Sequence, residues 1–208
     1  MTAIDEIAWL FILLAILSAL IIVIDQFTRP RRRMWIMSLV WPLTALYAGP
    51  VGLLLYVRLG RHRSRSGSVT RSTLHCGAGC TLGDMAVALL PPILVAGSPL
   101  VGHMTLALAG ALLFGILFQY FALKTMKGKG FWRTLLDAFK ADTLSVLAWQ
   151  AGMYSGMAIA IFMIFNESLS VKSPVFWWMM QLSMMLGFCT AYPVNFLLVE
   201  SGLKKGMT

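Results

Sequence analysis

Apolar and polar stretches alternate along this chain on the length scale of a lipid bilayer. Runs rich in Leu, Ile, Val, Ala, Phe and Met occupy about residues 7–24, 35–57, 82–101, 104–123, 143–165 and 176–199. Most approach the ~20 residues that an α-helix needs to cross hydrocarbon. The pattern predicts an all-α, polytopic transmembrane helical bundle of six membrane segments, forming one integral membrane domain over residues 1–208. A basic polar loop is expected over 58–79, ending in the segment His75-Cys76-Gly77-Ala78-Gly79-Cys80. Phe131, Trp132, Leu135, Leu136 and Phe139 share one helical face, so residues 131–142 are expected to lie along the membrane interface before the chain turns inward.

Composition agrees with this. Hydrophobic residues make up 59% of the 208 positions and charged residues 12%, against roughly 25% charged in soluble domains. The first run opens with Asp5 and Glu6 where a signal peptide would carry basic residues, and it shows no small-residue cleavage site, so it is expected to stay as a helix. The net charge of +9 comes from Lys and Arg in short connectors. No nucleic-acid recognition module accompanies them, and topology and anionic lipid account for them better.

The basic groups centre on Arg29 to Arg33, Arg58 to Arg71, Lys124 to Lys140, and Lys204 with Lys205. Six full spans with both termini inside would leave the first group outside, against the positive-inside rule. A re-entrant hairpin in the second segment, broken around Pro42, Gly49, Pro50 and Gly52, would bring all four groups to the cytoplasm. Against it stands a similarity between the second and sixth segments, which aligns Trp35 with Trp178 and Pro50 with Pro193. Like segments should cross alike.

Chemistry concentrates at His75, Cys76, Cys80 and Asp84. With a helix starting near Cys80, Cys80 and Asp84 share a face, and Gly77, Ala78 and Gly79 form a strap that could fold His75 and Cys76 back over them. Two thiolates, an imidazole and a carboxylate suit zinc; two thiolates alone suit Cu(I). The competing explanation is a Gly-rich start to a helix with small buried thiols. Three cysteines make no even disulfide framework, and two of them adjoin a cytoplasmic loop where thiols stay reduced.

Methionine forms a second constellation. Met153 and Met157 share a face of the fifth segment, and Met180 and Met184 share a face of the sixth. Thioethers are soft, uncharged and easily buried, as a Cu(I) path through hydrocarbon requires, although methionine also fills gaps in apolar cores. The two MxxxM pairs resemble the methionine motif of copper uptake trimers over those few positions alone. His103 is expected to be a solvated turn residue.

Ala148, Gly152, Gly156 and Ala160 repeat small residues every fourth position, a pattern that serves either packing within the chain or a homo-oligomer seam. No Ser-His-Asp set, phosphate loop, HExxH or CxxCH motif is present, so an enzyme of standard type is not expected.

Three blocks resemble the bacterial membrane family called domain of unknown function 4396. They are Met34 to Met37 with Trp41 to Tyr47, the His75 to Asp84 block, and Gly187-Phe188 with Tyr192 to Asn195. The resemblance implies a bacterial inner-membrane protein without a settled activity, some of whose relatives carry a copper label, and it supplies no catalytic residue.

The expectation is therefore a multi-pass protein of the bacterial inner membrane that binds or translocates a soft transition metal, copper first and zinc second. His75, Cys76, Cys80 and Asp84 would capture or release the ion, and Met153, Met157, Met180 and Met184 would line its path. The alternatives are a non-metal structural or partner-binding membrane protein, and a small-solute transporter or channel with helices broken at Pro42, Pro50, Pro91 and Pro92.

Overall fold

A computed structural model of the chain describes residues 3–28, 35–61, 67–90, 99–127, 130–166 and 169–204. Among them every regular element is helical: α1 (Ala3–Thr28), α2 (Trp35–Leu55, continued by a π-helical turn, Tyr56–Gly60), α3 (Ser68–Ala88), α4 (Pro99–Lys127), α5 (Phe131–Ala158, continued by a π-helical stretch, Ile159–Ile164) and α6 (Pro174–Glu200). Among the described residues, five stretches are long and apolar enough to cross a membrane: Ala3–Thr28, Trp35–Gly60, Gly102–Lys124, Phe131–Ile164 and Pro174–Glu200. The protein is a polytopic membrane helical bundle.

The Trp35–Gly60 stretch is not a straight rod. Gly49 takes φ 55° and ψ −133°, a conformation that costs glycine little and that L side chains rarely adopt, and Pro50 follows it. Beyond this break the chain doubles back: a Cβ on Gly52 would stand 2.8 Å from the Ala45 Cα, and the Trp41 and Tyr56 rings meet edge to face at 5.6 Å. Both ends reach the same end of the bundle. Trp35 packs on Phe121 near the end of α4, while Tyr56 and Arg61 both bond Asp25 near the end of α1. The aligned prolines differ in backbone setting: Pro50 follows the break at Gly49, whereas Pro193 lies inside the uninterrupted α6.

α3 overturns two expectations. It starts at Ser68, so residues 68–79 are helix where a polar loop was expected, and it ends at Ala88, so the apolar run 82–101 is not one helix. Every residue from Arg71 to Thr81 is buried. Neighbouring helices enclose α3 on all sides, and polar side chains on it therefore say nothing about exposure. Pro91 and Pro92 lie outside the described residues.

Glycines set how closely α3 is held. A Cβ on Gly79 would stand 2.7 Å from the Gly115 Cα of α4, and one on Gly83 would collide with the Gly110–Ala111 backbone. These contacts run antiparallel along the pair. Gly77 leaves room for the Trp149 ring from α5.

The small-residue face of α5 is occupied within the chain. Gly152 packs on Gly187 and Thr190 of α6, and Gly156 packs on Ser183. Thr190 Oγ1 donates to the Ala148 carbonyl, and Ala160 is buried against Val175 and Met179. Of the two uses open to the small residues Ala148, Gly152, Gly156 and Ala160, packing against α6 within the chain accounts for these contacts. α5 itself runs without a break from Phe131, presenting Trp132, Leu136 and Phe139 outward and burying Thr134, Ala138 and Asp142.

Candidate functional site

Polar side chains follow α3 through the bundle interior. In the first half of α3, His75 is fully buried with its ring tilted on Phe118. It lies near the Phe118 backbone but outside hydrogen-bonding geometry, and neither ring nitrogen has a partner. Asp142 and Lys204 are within its electrostatic reach. One residue on, Cys76 contacts Cys80 thiol to thiol, one turn further along the helix. Both thiols are buried, and the Tyr47 side chain from the tip of the α2 hairpin lies within reach of both. Tyr47 stacks edge to face on Trp149 at 5.5 Å, and Gln181 Nε2 donates to the neighbouring Leu46 carbonyl. The hairpin tip is therefore wedged among α3, α5 and α6 beside the thiol pair.

Asp84 lies one helical turn beyond Cys80. Its Oδ1 accepts a 2.9 Å hydrogen bond from Gln150 Nε2, while Asp84 Oδ2 and Gln150 Oε1 have no partner. Asp84 forms part of the wall of a cavity of about 680 Å³, which Met153, Tyr154, Met157, Phe176 and Met180 also line. His103 and Met104, at the start of α4, border the same cavity. His103, expected either as a solvated residue or as an outer metal ligand, is thus a half-buried residue of α4 on the cavity wall. Tyr154 donates its hydroxyl proton to the Met104 carbonyl at 2.6 Å, fixing α5 to the start of α4.

Three of the four candidate methionines therefore share one cavity. The fourth, Met184, lies deeper; Thr81 Oγ1 approaches its Sδ at 3.8 Å, and it lines a smaller cavity of about 160 Å³ with Tyr47, Met85, Met180 and Gln181. Cys76, Cys80, Met153, Met180 and Met184 belong to one buried contact cluster.

The four-ligand set does not gather. Among the described residues, no three His, Cys, Asp or Glu side chains lie close enough to hold one metal ion. The cause is the continuous helix: residues 75–84 keep their helical hydrogen bonds, and about 100° of rotation per residue points His75 and Cys76 in different directions. No strap is free to fold back.

A profile of the family described as domain of unknown function (DUF4396) matches residues 67–204. The chain belongs to the DUF4396 family. No curated protein matches it, and no solved structure does. The DUF4396 match holds α3 to α6, and with them His75, the thiol pair, Asp84 and all four methionines. The resemblance at Met34 to Tyr47 falls outside the matched residues.

The DUF4396 segment also contains a polar cluster that sequence patterns did not mark. Gly202 (φ 73°) turns the chain after α6, and the Lys204 N–H bonds the Leu198 carbonyl. Lys204 Nζ thereby enters the bundle, donating to Asp142 Oδ1 at 2.7 Å, Asn195 Oδ1 at 2.8 Å and Ser145 Oγ at 3.3 Å. Both charged side chains are fully buried. Three acceptors satisfy the three ammonium donors, so a lysine that looks like a tail charge closes the basic end of the polar column. Asn195, in the third resemblance block, was the one available hint.

Proposed function

We propose that this DUF4396 protein binds and translocates a soft transition metal, copper as Cu(I), as a single membrane domain of the bacterial inner membrane. The observation that carries the proposal is the cavity lined by Met153, Met157 and Met180, with Met180 also lining the smaller cavity that Met184 and Tyr47 border. A thioether path offers Cu(I) soft, uncharged donors inside hydrocarbon, and paired thiolates can hold it at low coordination number. Zinc is the weaker choice, because the two-thiolate core lacks a converging third and fourth protein ligand. Asp84 would border the path and His75 would stand beyond the thiols.

The re-entrant form of the second segment belongs to this proposal. Its doubled-back chain would put the basic connectors together on the cytoplasmic face, with the cavity facing outward. Broken backbone at membrane depth is tolerated where protein covers it, as α3, α5 and α6 cover the hairpin tip. The test is metal analysis of protein purified without chelator or polyhistidine tag and reconstituted anaerobically. Near-stoichiometric copper supports the proposal, and persistent absence defeats it.

The cavity's size favours a second reading, a small-solute transporter. A volume of about 680 Å³ is in the range that takes small organic molecules and far exceeds an ion. A broken helix is also a way many transporters build their sites, and Leu46 and Tyr47, just before the break at Gly49, line the smaller cavity with Met180.

A further inference from the structure

Asp84 is a buried carboxylate without a protein cation. Among the described residues no Lys or Arg lines its cavity, residues 89–101 contain neither, and Lys172, before α6, is exposed. His103 is the other ionisable side chain with Tyr154 on the wall. Asp84 Oδ2 and Gln150 Oε1 are both buried acceptors without donors, and the Tyr154 hydroxyl is committed to the Met104 carbonyl. A carboxyl group placed in this way either takes up a proton or is matched by a positive partner. The rest of the wall is apolar, sulfur-bearing and aromatic.

We infer that the cavity takes a monovalent organic ammonium ion, whose charge is matched by Asp84 on the cavity wall. Its apolar body packs among Met153, Met157, Phe162 and Phe176, where the aromatic faces attract the cation further. Such a ligand supplies the missing charge, whereas copper prefers the sulfurs. The assignment rests on the solute-transport reading and names its substrate class.

The test uses the full chain in detergent and two probes of nearly equal size, benzylammonium and neutral benzyl alcohol, with binding read as a saturable rise in melting temperature. Benzylammonium should bind at least tenfold more tightly than benzyl alcohol. Asp84→Asn, nearly isosteric, should abolish that preference, Met157→Trp should block both probes by filling the cavity, and Cys189→Ser, at an exposed position, should change neither. Should Asp84→Asn fail to fold, the comparison of probes in the wild type and in Met157→Trp still decides. Equal binding of the two probes, blocked by Met157→Trp, overturns the ammonium assignment and leaves a solute cavity. Absence of saturable binding by either probe overturns both.

Discussion

Arg61 donates a 2.6 Å hydrogen bond to Asp25, tying the end of the second segment to the end of the first. A straight helix over the 26 residues Trp35–Gly60 would be ~39 Å long and would carry Arg61 to the far side of the bundle. The ion pair is reachable only because the chain reverses at Gly49.

A topology experiment follows. In a background lacking the exposed Cys189, single cysteines at Trp35 and Arg58, both exposed, should stay unlabelled by an impermeant maleimide in intact cells. Both should react once the membrane is opened. Labelling of one but not the other in intact cells would mean a straight span.

Lys204 and Asp142 form a fully buried pair, and breaking such a pair leaves a lone charge, at a cost of about 3–5 kcal/mol. Lys204→Met alone should therefore lower the melting temperature steeply. Adding Asp142→Leu should recover most of the loss, since removing both charges from a buried site is often close to neutral. Thermal unfolding of the two variants checks this, and equal losses in both would show that the pair is not the cause.

The sequence made the bundle legible because hydrophobic run length alone reports a membrane helix. It misplaced α3 because that helix is enclosed by protein: Ser72, Thr73 and His75 are buried though they read as loop, while Leu89 and Leu90 look apolar but lie past the helix end. Gly77, Gly79 and Gly83 read as a flexible strap, yet they are the contact points for Trp149 and α4. Spacing cannot distinguish a glycine that bends from one that admits a neighbour. The methionine pairs were legible, because helical spacing of three to four residues fixes a shared face. Lys204 was not, since its burial depends on a turn at Gly202 and on partners some sixty residues upstream.

Replacing Met153, Met157, Met180 and Met184 together by Leu nearly conserves volume, and such swaps usually cost under ~1.5 kcal/mol each. The quadruple variant should express and fold while copper flux into reconstituted vesicles falls sharply. Unchanged flux would confine any metal role to Cys76 and Cys80.

The most direct measurement of the copper claim is X-ray absorption at the copper edge on protein loaded anaerobically with Cu(I). A first shell of sulfur alone is expected, losing scatterers in Cys76→Ser and Cys80→Ser while both variants stay folded. A shell of nitrogen and oxygen, or one that the cysteine variants leave untouched, would contradict the account.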